Sequence, residues 1–172
     1  LPLIYILSAV SLKNSGMKYG KFIAVSAIIW LGVETAIVTP NYLSYFNEIG
    51  GGTKKGYENA VDSNYDWGQD LKRLSSFVKE NNINKIAVDY FGGGNPKYYM
   101  GEDVVEYWWS SKGNPKDHGI EWLALSVNTL QQARGKTHEG FIRKQEDEYS
   151  WLLNAYEPYA KAGPSIFIYK LN

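Results

Sequence analysis

A dense polar run occupies residues 62–71 (DSNYDWGQDL), where three carboxylates, two carboxamides and an indole fall within nine residues. Carboxylate and carboxamide groups hydrogen-bond the vicinal hydroxyls of a sugar, and an indole stacks on the apolar face of a pyranose ring. The run therefore predicts a surface that recognises a sugar or a hydroxyl-bearing acceptor. The candidate substrate-binding residues are Asp62, Asn64, Asp66, Trp67, Gln69 and Asp70.

A calcium loop is a second interpretation of the same residues, because Asp62-x-Asn64-x-Asp66 has the spacing of its first three ligands. The remainder of the pattern does not follow. Trp67 stands where such a loop needs glycine, and Arg73 stands where it needs a glutamate. We therefore assign no metal ligand to this chain.

A structural role is the third interpretation, and it starts from a helix predicted over residues 67–81. Asp66 is well placed as the N-cap of that helix, and Gln69, three residues on, completes a capping box. Asp62 or Asn64 would then tie down the turn through side-chain to backbone hydrogen bonds. On the sequence alone the structural and the sugar-binding interpretations both stay open.

An apolar segment at residues 22–39 (FIAVSAIIWLGVETAIVT) carries a single charge, Glu34. As a helix it would be about 27 Å long, close to the thickness of the hydrocarbon core of a bilayer. It is apolar all round, which favours a transmembrane helix over the alternative, a buried helix of a soluble protein. Pro40 ends it, so we predict a membrane region over residues 1–40 and a separate domain over residues 41–172.

Residues 1–12 are also apolar but too few to span a bilayer, and they predict the end of a longer transmembrane helix that begins before this chain. The linker to the next apolar segment contains Lys13, Lys18 and Lys21 and no acidic residue. Positively charged loops favour the cytoplasmic side, so residues 41–172 are expected to be extracytoplasmic. The prediction is a multi-pass protein of the cell membrane.

Composition excludes several classes of function. The chain has no cysteine, which rules out disulfides, thiol nucleophiles and cysteine-ligated zinc. The formal net charge is zero, and nothing in it indicates nucleic-acid binding. His118 and His138 are isolated and form no HExxH motif, so no zinc site is predicted and no cofactor is assigned to this chain.

Strands that alternate with helices predict a small α/β domain with a largely parallel sheet after the membrane region. Short runs of β-branched and aromatic residues indicate the strands, and amphipathic runs indicate the helices. The three glycines at residues 92–94 are expected to form a simple turn. The predicted strands are 59–62, 85–91, 121–127 and 165–171, the predicted helices are 67–81 and 141–156, a helical turn is expected at 98–99, and 104–109 fits either type.

Taken together, residues 40–48 (PNYLSYFNE), 51–52 (GG) and 62–71 resemble the C-terminal end of a group of prokaryotic membrane glycosyltransferases. These are the polytopic enzymes related to protein O-mannosyltransferases and lipid A aminoarabinose transferases. The later segments 90–92, 125–127 and 163–166, with Tyr169, also fit the tail of such proteins. The resemblance implies transfer of a sugar from a polyprenyl-phosphate donor to a glycan or protein acceptor outside the cytoplasm.

The resemblance also implies that the catalytic carboxylate lies on an early extracytoplasmic loop, which this chain does not contain. No catalytic residue is therefore assigned here, and this portion alone is expected to be inactive. The implied partners are membrane lipid, the lipid-linked sugar donor, the acceptor and the preceding transmembrane helices. The resemblance leaves room for a divalent cation in the full-length enzyme. Two alternatives are a membrane-tethered domain that binds glycans without catalysis and a purely structural cap on the helical bundle.

Overall fold

Two compact units make up the chain, Leu1–Pro40 and Asn41–Asn172. We call them the N-terminal unit and the C-terminal unit. The structure is a computed structural model that describes residues 2–14, 16, 18–60, 65–135, 140, 142, 144 and 148–171.

The described residues of the N-terminal unit form two helices, α1 (Pro2–Asn14) and α2 (Gly20–Val38). Helix α2 has 19 residues and a mean hydropathy of 1.8, so it is long and apolar enough to cross a membrane. Among the described residues it is the one helix that meets this criterion, since α1 has 13 residues. Large apolar side chains of α2, such as Phe22, Trp30 and Ile37, are exposed, whereas a core helix of a soluble protein would cover them.

Five strands within the described residues form one mixed sheet in the C-terminal unit, in the order β2-β1-β3-β5-β4. Strands β2, β1 and β3 are parallel, as expected, but β5 pairs antiparallel with both β3 and β4. The predicted α/β class is therefore confirmed, and the sheet is mixed, with parallel pairing among β2, β1 and β3 and antiparallel pairing at β5. The strands are β1 (Ile86–Asp89), β2 (Val105–Tyr107), β3 (Trp122–Ser126), β4 (Ala160–Ala162) and β5 (Ile166–Lys170).

The helices differ more from the prediction than the strands do. The described part of residues 141–156 contains a single helical turn, and residues 141, 143 and 145–147 lie outside the described residues. Residues 59–60 are not in a strand, and residues 61–62 lie outside the described ranges. In the described part of the C-terminal unit, the α-helices are α3 (Gly52–Lys55), α4 (Leu71–Glu80), α5 (Pro96–Met100), α6 (Val127–Arg134) and α7 (Ser150–Leu153).

Helices cover the sheet on both faces, and the alternation of side chains along each strand feeds two apolar clusters. On one face α4 packs Leu74 and Val78 against the sheet, with Ile86 beneath them. On the other face, Leu130 of α6 and Leu152 of α7 belong to the second apolar cluster. Each strand of the sheet centre is thus buried on both sides, which explains the continuous apolar runs in the sequence.

We expect Leu74→Ala to lower the free energy of unfolding of the C-terminal unit by about 2–5 kcal/mol, because Leu74 is 0% exposed and the surrounding core cannot collapse fully. Ser76→Ala, at an exposed position of the same helix, should change it by less than about 0.5 kcal/mol. Denaturant unfolding followed by tryptophan fluorescence measures both variants. Equal, small effects would contradict the packing of α4 on the sheet.

Candidate functional site

Residues 65–70 of the polar run lie at the carboxyl ends of β1 and β3. The chain after β1 leads to α5, on the same face as α4, whereas α6 follows β3 directly on the opposite face. In open α/β sheets, ligands bind outside the carboxyl ends of strands where the chain leaves to opposite faces. We call residues 65–70 the carboxyl-end turn.

Two contacts fix the carboxyl-end turn to the sheet. The Ser126 hydroxyl, at the end of β3, donates a hydrogen bond to Asp66 Oδ2 at 2.6 Å. The Tyr90 hydroxyl, just beyond β1, donates to the Gly68 carbonyl at 3.2 Å. Gly68 has φ of +81°, and a Cβ added there would overlap the Tyr90 hydroxyl, so glycine is required for this close approach.

Asp66 is fully buried, and its carboxylate is satisfied within the unit. Besides the bond from Ser126, its Oδ1 accepts from the Gly68 backbone N–H at 2.8 Å. Burial raises the pKa of Asp66 above its usual range, although the hydrogen bonds from Ser126 and Gly68 act in the opposite direction. The carboxylate closes an Asx turn and joins that turn to β3.

Asp70 is the second fully buried carboxylate of the turn. Its Oδ2 accepts hydrogen bonds from the Ser165 backbone N–H at 3.0 Å and from the Ser165 hydroxyl at 2.9 Å. Its Oδ1 forms an ion pair with Nη1 of Arg73, and the same nitrogen donates to Asn41 Oδ1 at 2.7 Å. Asp70 therefore ties the start of α4 to the turn between β4 and β5 and, through Arg73, to the first residue of the unit.

Trp67 points outward from this buttressed turn, with 60% of the residue exposed. Gln69 holds the backbone beneath it, because its Oε1 accepts from the Trp67 backbone N–H at 2.8 Å. The Gln69 Nε2 donates to Ser44 Oγ and to the Tyr65 carbonyl, both at 2.9 Å. The indole is thus presented to solvent from a turn whose polar groups are already hydrogen-bonded.

The predicted capping box is wrong. Helix α4 begins at Leu71, and Asp70, not Asp66, occupies its N-cap position. Among the described residues no side chain caps that helix, because the Asp70 carboxylate bonds to Ser165 and Arg73 instead. The sequence signal failed because Asp66 and Gln69 bond within the turn, to Gly68 and Trp67, and not to the first turn of a helix.

The six candidate residues occupy different environments. Asp66 and Asp70 are buried with internal partners, whereas Trp67 and Gln69 are exposed in whole or in part. Asp62 and Asn64 lie outside the described residues. The substrate-binding role of the set stays a prediction, and of the described members the exposed indole of Trp67 is the group best placed for it.

Asp89, at the end of β1, is a half-buried carboxylate that the sequence analysis did not single out. Its Oδ2 accepts from the Tyr149 hydroxyl at 2.7 Å, and its Oδ1 accepts from Thr129 Oγ1 at 3.4 Å. Burial raises the pKa of Asp89. The available signal was its position, since an aspartate directly after the apolar residues of β1 falls at the carboxyl end of a parallel strand.

Among the described residues there is no group of three or more histidine, aspartate or glutamate side chains that could hold a metal ion. His118 packs edge-on against Trp108, with the ring centroids 5.2 Å apart. His138 lies outside the described part of the chain. The described geometry thus assigns the carboxylates of Asp66 and Asp89 to hydrogen bonds with hydroxyl groups.

Comparison of the chain with protein-family models, with curated proteins and with solved structures finds no match.

We expect Asp89→Asn to gain stability relative to the wild-type chain as the pH rises. Burial raises the pKa of folded Asp89, so the folded state holds that proton more tightly than the unfolded state does. The stability that Asp89 contributes is complete below its unfolded pKa of about 3.9 and is lost as the pH rises through the folded pKa. Asparagine does not titrate, yet it can accept from Tyr149 and donate to Thr129.

Unfolding of both chains at about pH 3 and about pH 7.5 measures this difference, because the first value lies below the unfolded pKa of about 3.9 and the second well above it. The variant should rise in stability relative to the wild type between them. A difference that is independent of pH would contradict the burial of the Asp89 carboxylate.

Proposed function

We propose that this chain is the C-terminal portion of a membrane glycosyltransferase that moves a sugar from a polyprenyl-phosphate donor to an extracytoplasmic acceptor. In this proposal the C-terminal unit is a non-catalytic cap that contacts the acceptor through Trp67. Three features support it: the resemblance of residues 40–48 and 62–71 to such enzymes, the membrane-length helix α2, and the geometry of the carboxyl-end turn.

The presentation of Trp67 is the observation that carries the proposal. Its indole is exposed, while the backbone on either side is held by Asp66, Gln69 and Tyr90. A rigid aromatic side chain loses little conformational entropy on binding, and its flat apolar face complements the C–H face of a pyranose. A solvated indole fixed on a buttressed turn is therefore suited to stack on a sugar.

The buried carboxylates of Asp66 and Asp70 are poorly placed to act as a general base. A general base must reach the proton that it abstracts, directly or through one water. Asp66 and Asp70 are fully buried and accept hydrogen bonds from Ser126 and Ser165. We infer that the base that activates the acceptor hydroxyl comes from another part of the full-length protein.

The membrane part of the proposal places α2 across the bilayer of the cell membrane. Lys13, Lys18 and Lys21, before or at the start of α2, favour a cytoplasmic position for that end. Residues 41–172 then lie on the extracytoplasmic side, where a lipid-linked donor would deliver its sugar. In this arrangement α1 is the end of a preceding transmembrane helix, and the protein is multi-pass.

We expect Trp67→Ala in the full-length enzyme to raise KM for the acceptor about tenfold, because the loss of a stacked aromatic anchor costs more than about 1 kcal/mol. The variant should leave the unfolding midpoint unchanged, since the indole is solvated. Trp109→Ala is the matched control, because Trp109 is also exposed, at 51%, but lies outside the carboxyl-end turn. Steady-state transfer from a polyprenyl-phosphate sugar to the acceptor measures both.

Two results would contradict the proposal. Absence of any sugar transfer from polyprenyl-phosphate donors by the full-length protein would remove the glycosyltransferase assignment. An unchanged KM for Trp67→Ala in an active enzyme would remove the acceptor contact while leaving that assignment intact.

A purely structural cap is the second candidate, and the internal hydrogen bonds of Asp66 and Asp70 favour it. Each carboxylate joins the carboxyl-end turn to the sheet or to the turn that precedes β5. Such bonds stabilise the unit without requiring a ligand. This candidate differs from the first in assigning no contact to Trp67.

We expect Asp70→Ala to destabilise the C-terminal unit by about 3 kcal/mol, because it leaves the buried Ser165 donors without an acceptor. The kcat and KM of the fraction that remains folded should not change. Active-site-normalised kinetics at a temperature well below the unfolding midpoint test this, and Asp70→Asn is a milder variant if the alanine form does not fold. A changed KM at full folding would instead assign Asp70 to the substrate.

A further inference from the structure

A cavity of about 370 Å³ lies in the C-terminal unit beside Arg73, the ion-pair partner of Asp70. Three of its lining side chains are cationic, and none of the described residues that line it is acidic. They come from three elements, α3, α4 and β4. The lining residues are Asn41, Thr53, Lys54, Arg73, Lys161, Gly163 and Pro164.

The charges around the cavity favour an anion. Asp70 lies behind Arg73 and is fully buried, where it accepts from Arg73 and Ser165. Glu58 is close enough to Lys161 for its charge to raise the pKa of that ammonium, although burial lowers it more strongly. With both acids counted, three positive charges face two negative ones, and the lining itself carries only the positive ones.

The Arg73 guanidinium is oriented before any ligand arrives. Its Nη1 donates to Asp70 and to Asn41, which fixes the plane of the group. Among the described residues, no acceptor is bonded to its Nε or Nη2. A guanidinium held in this way keeps a pair of donors in the fork geometry that matches two oxygens of a phosphate.

The Lys161 ammonium is also held in place. It lies 4.3 Å from the ring centroid of Phe167 and 5.3 Å from that of Tyr57, as cation–π contacts. Lys161 is an exposed residue of β4, and partial burial of its ammonium lowers the pKa of that group. A partly desolvated cation gains more from an incoming anion than a fully hydrated one does.

Gly163, at the edge of the cavity, lies directly against Asp70. It has φ of +63°, and a Cβ at that position would overlap the Asp70 carboxylate. The turn between β4 and β5 can therefore approach the carboxylate with its backbone alone. Lys54, in the last turn of α3, is exposed and has no ion-pair partner within the described residues.

We propose that this cavity binds a phosphomonoester group, supplied either as free phosphate or as the headgroup of a lipid. Three cationic residues from separate elements line it. Donors that approach from several directions suit the tetrahedral oxygens of a phosphate better than a planar carboxylate. The volume exceeds that of the phosphate alone and leaves room for the ester carbons. The inference concerns other residues than Trp67 and does not depend on the proposed function.

Titration of the full chain with inorganic phosphate tests the proposal, with the protein in micelles of an uncharged polyoxyethylene detergent. A parallel titration uses dihexanoyl phosphatidic acid as a lipid with a phosphomonoester headgroup. Saturable binding is expected by calorimetry, and it should weaken as salt is raised. Lys54→Gln and Lys161→Gln should each weaken it about five- to tenfold, whereas Lys79→Gln, exposed at the other end of α4, should not.

The possible results distinguish a lipid headgroup from free phosphate as the source of the ligand, and they also show whether the proposal is wrong. Tighter binding of the lipid identifies a headgroup site, and equal or tighter binding of inorganic phosphate identifies a site for the free ion. Both support the proposal. No saturable binding of either probe, or an equal loss of affinity in Lys79→Gln, overturns it. Unfolding midpoints for each variant establish that weaker binding is not loss of the fold, because Lys54 is exposed.

Discussion

The buried carboxylate of Asp70 is the constraint on which the described architecture depends. A charge removed from water is tolerated only when its oxygens are hydrogen-bonded, and Asp70 finds those bonds in Ser165 and Arg73. Because Ser165 lies 95 residues away, satisfying this one group joins the start of α4 to the turn before β5. It also sets the position of Arg73, which lines the cationic cavity. Stability and the shape of that cavity therefore depend on the same contact.

At the carboxyl ends of β1 and β3, a carboxylate on each face of the sheet is hydrogen-bonded by a hydroxyl group. Asp66 bonds to Ser126 on the face covered by α4, and Asp89 bonds to Tyr149 on the face covered by α6 and α7. In both cases a hydroxyl group supplies the hydrogen bond, and burial still raises the pKa of the carboxyl group. Asp66 and Asp70 of the predicted binding cluster are buried, whereas Trp67 and Gln69 remain exposed.

Local signals in the sequence predicted the sheet better than the site. Strands β1, β3 and β5 lie within the predicted runs because their β-branched and aromatic residues are buried on both faces. Helix α6 was missed because it follows β3 at once, with Ser126 as its cap and no glycine or proline between. The antiparallel β5 and the burial of Asp70 depend on partners far along the chain, Leu123 to Tyr169 and Asp70 to Ser165, which periodicity does not reveal. The sequence indicated a structural role for Asp66, but it did not reveal Ser126 as its hydrogen-bond partner.

The most direct test of this account is a double-mutant cycle between Asp70 and Ser165. The chains to compare are the wild type, Asp70→Asn, Ser165→Ala and the double variant, with the free energy of unfolding of the C-terminal unit as the measured quantity. A coupling energy of about 1–3 kcal/mol is predicted, because each side chain serves the other in a buried bond. Additive effects, with a coupling energy within about 0.3 kcal/mol of zero, would contradict the claim that the bond between Asp70 and Ser165 holds the start of α4 to the turn before β5.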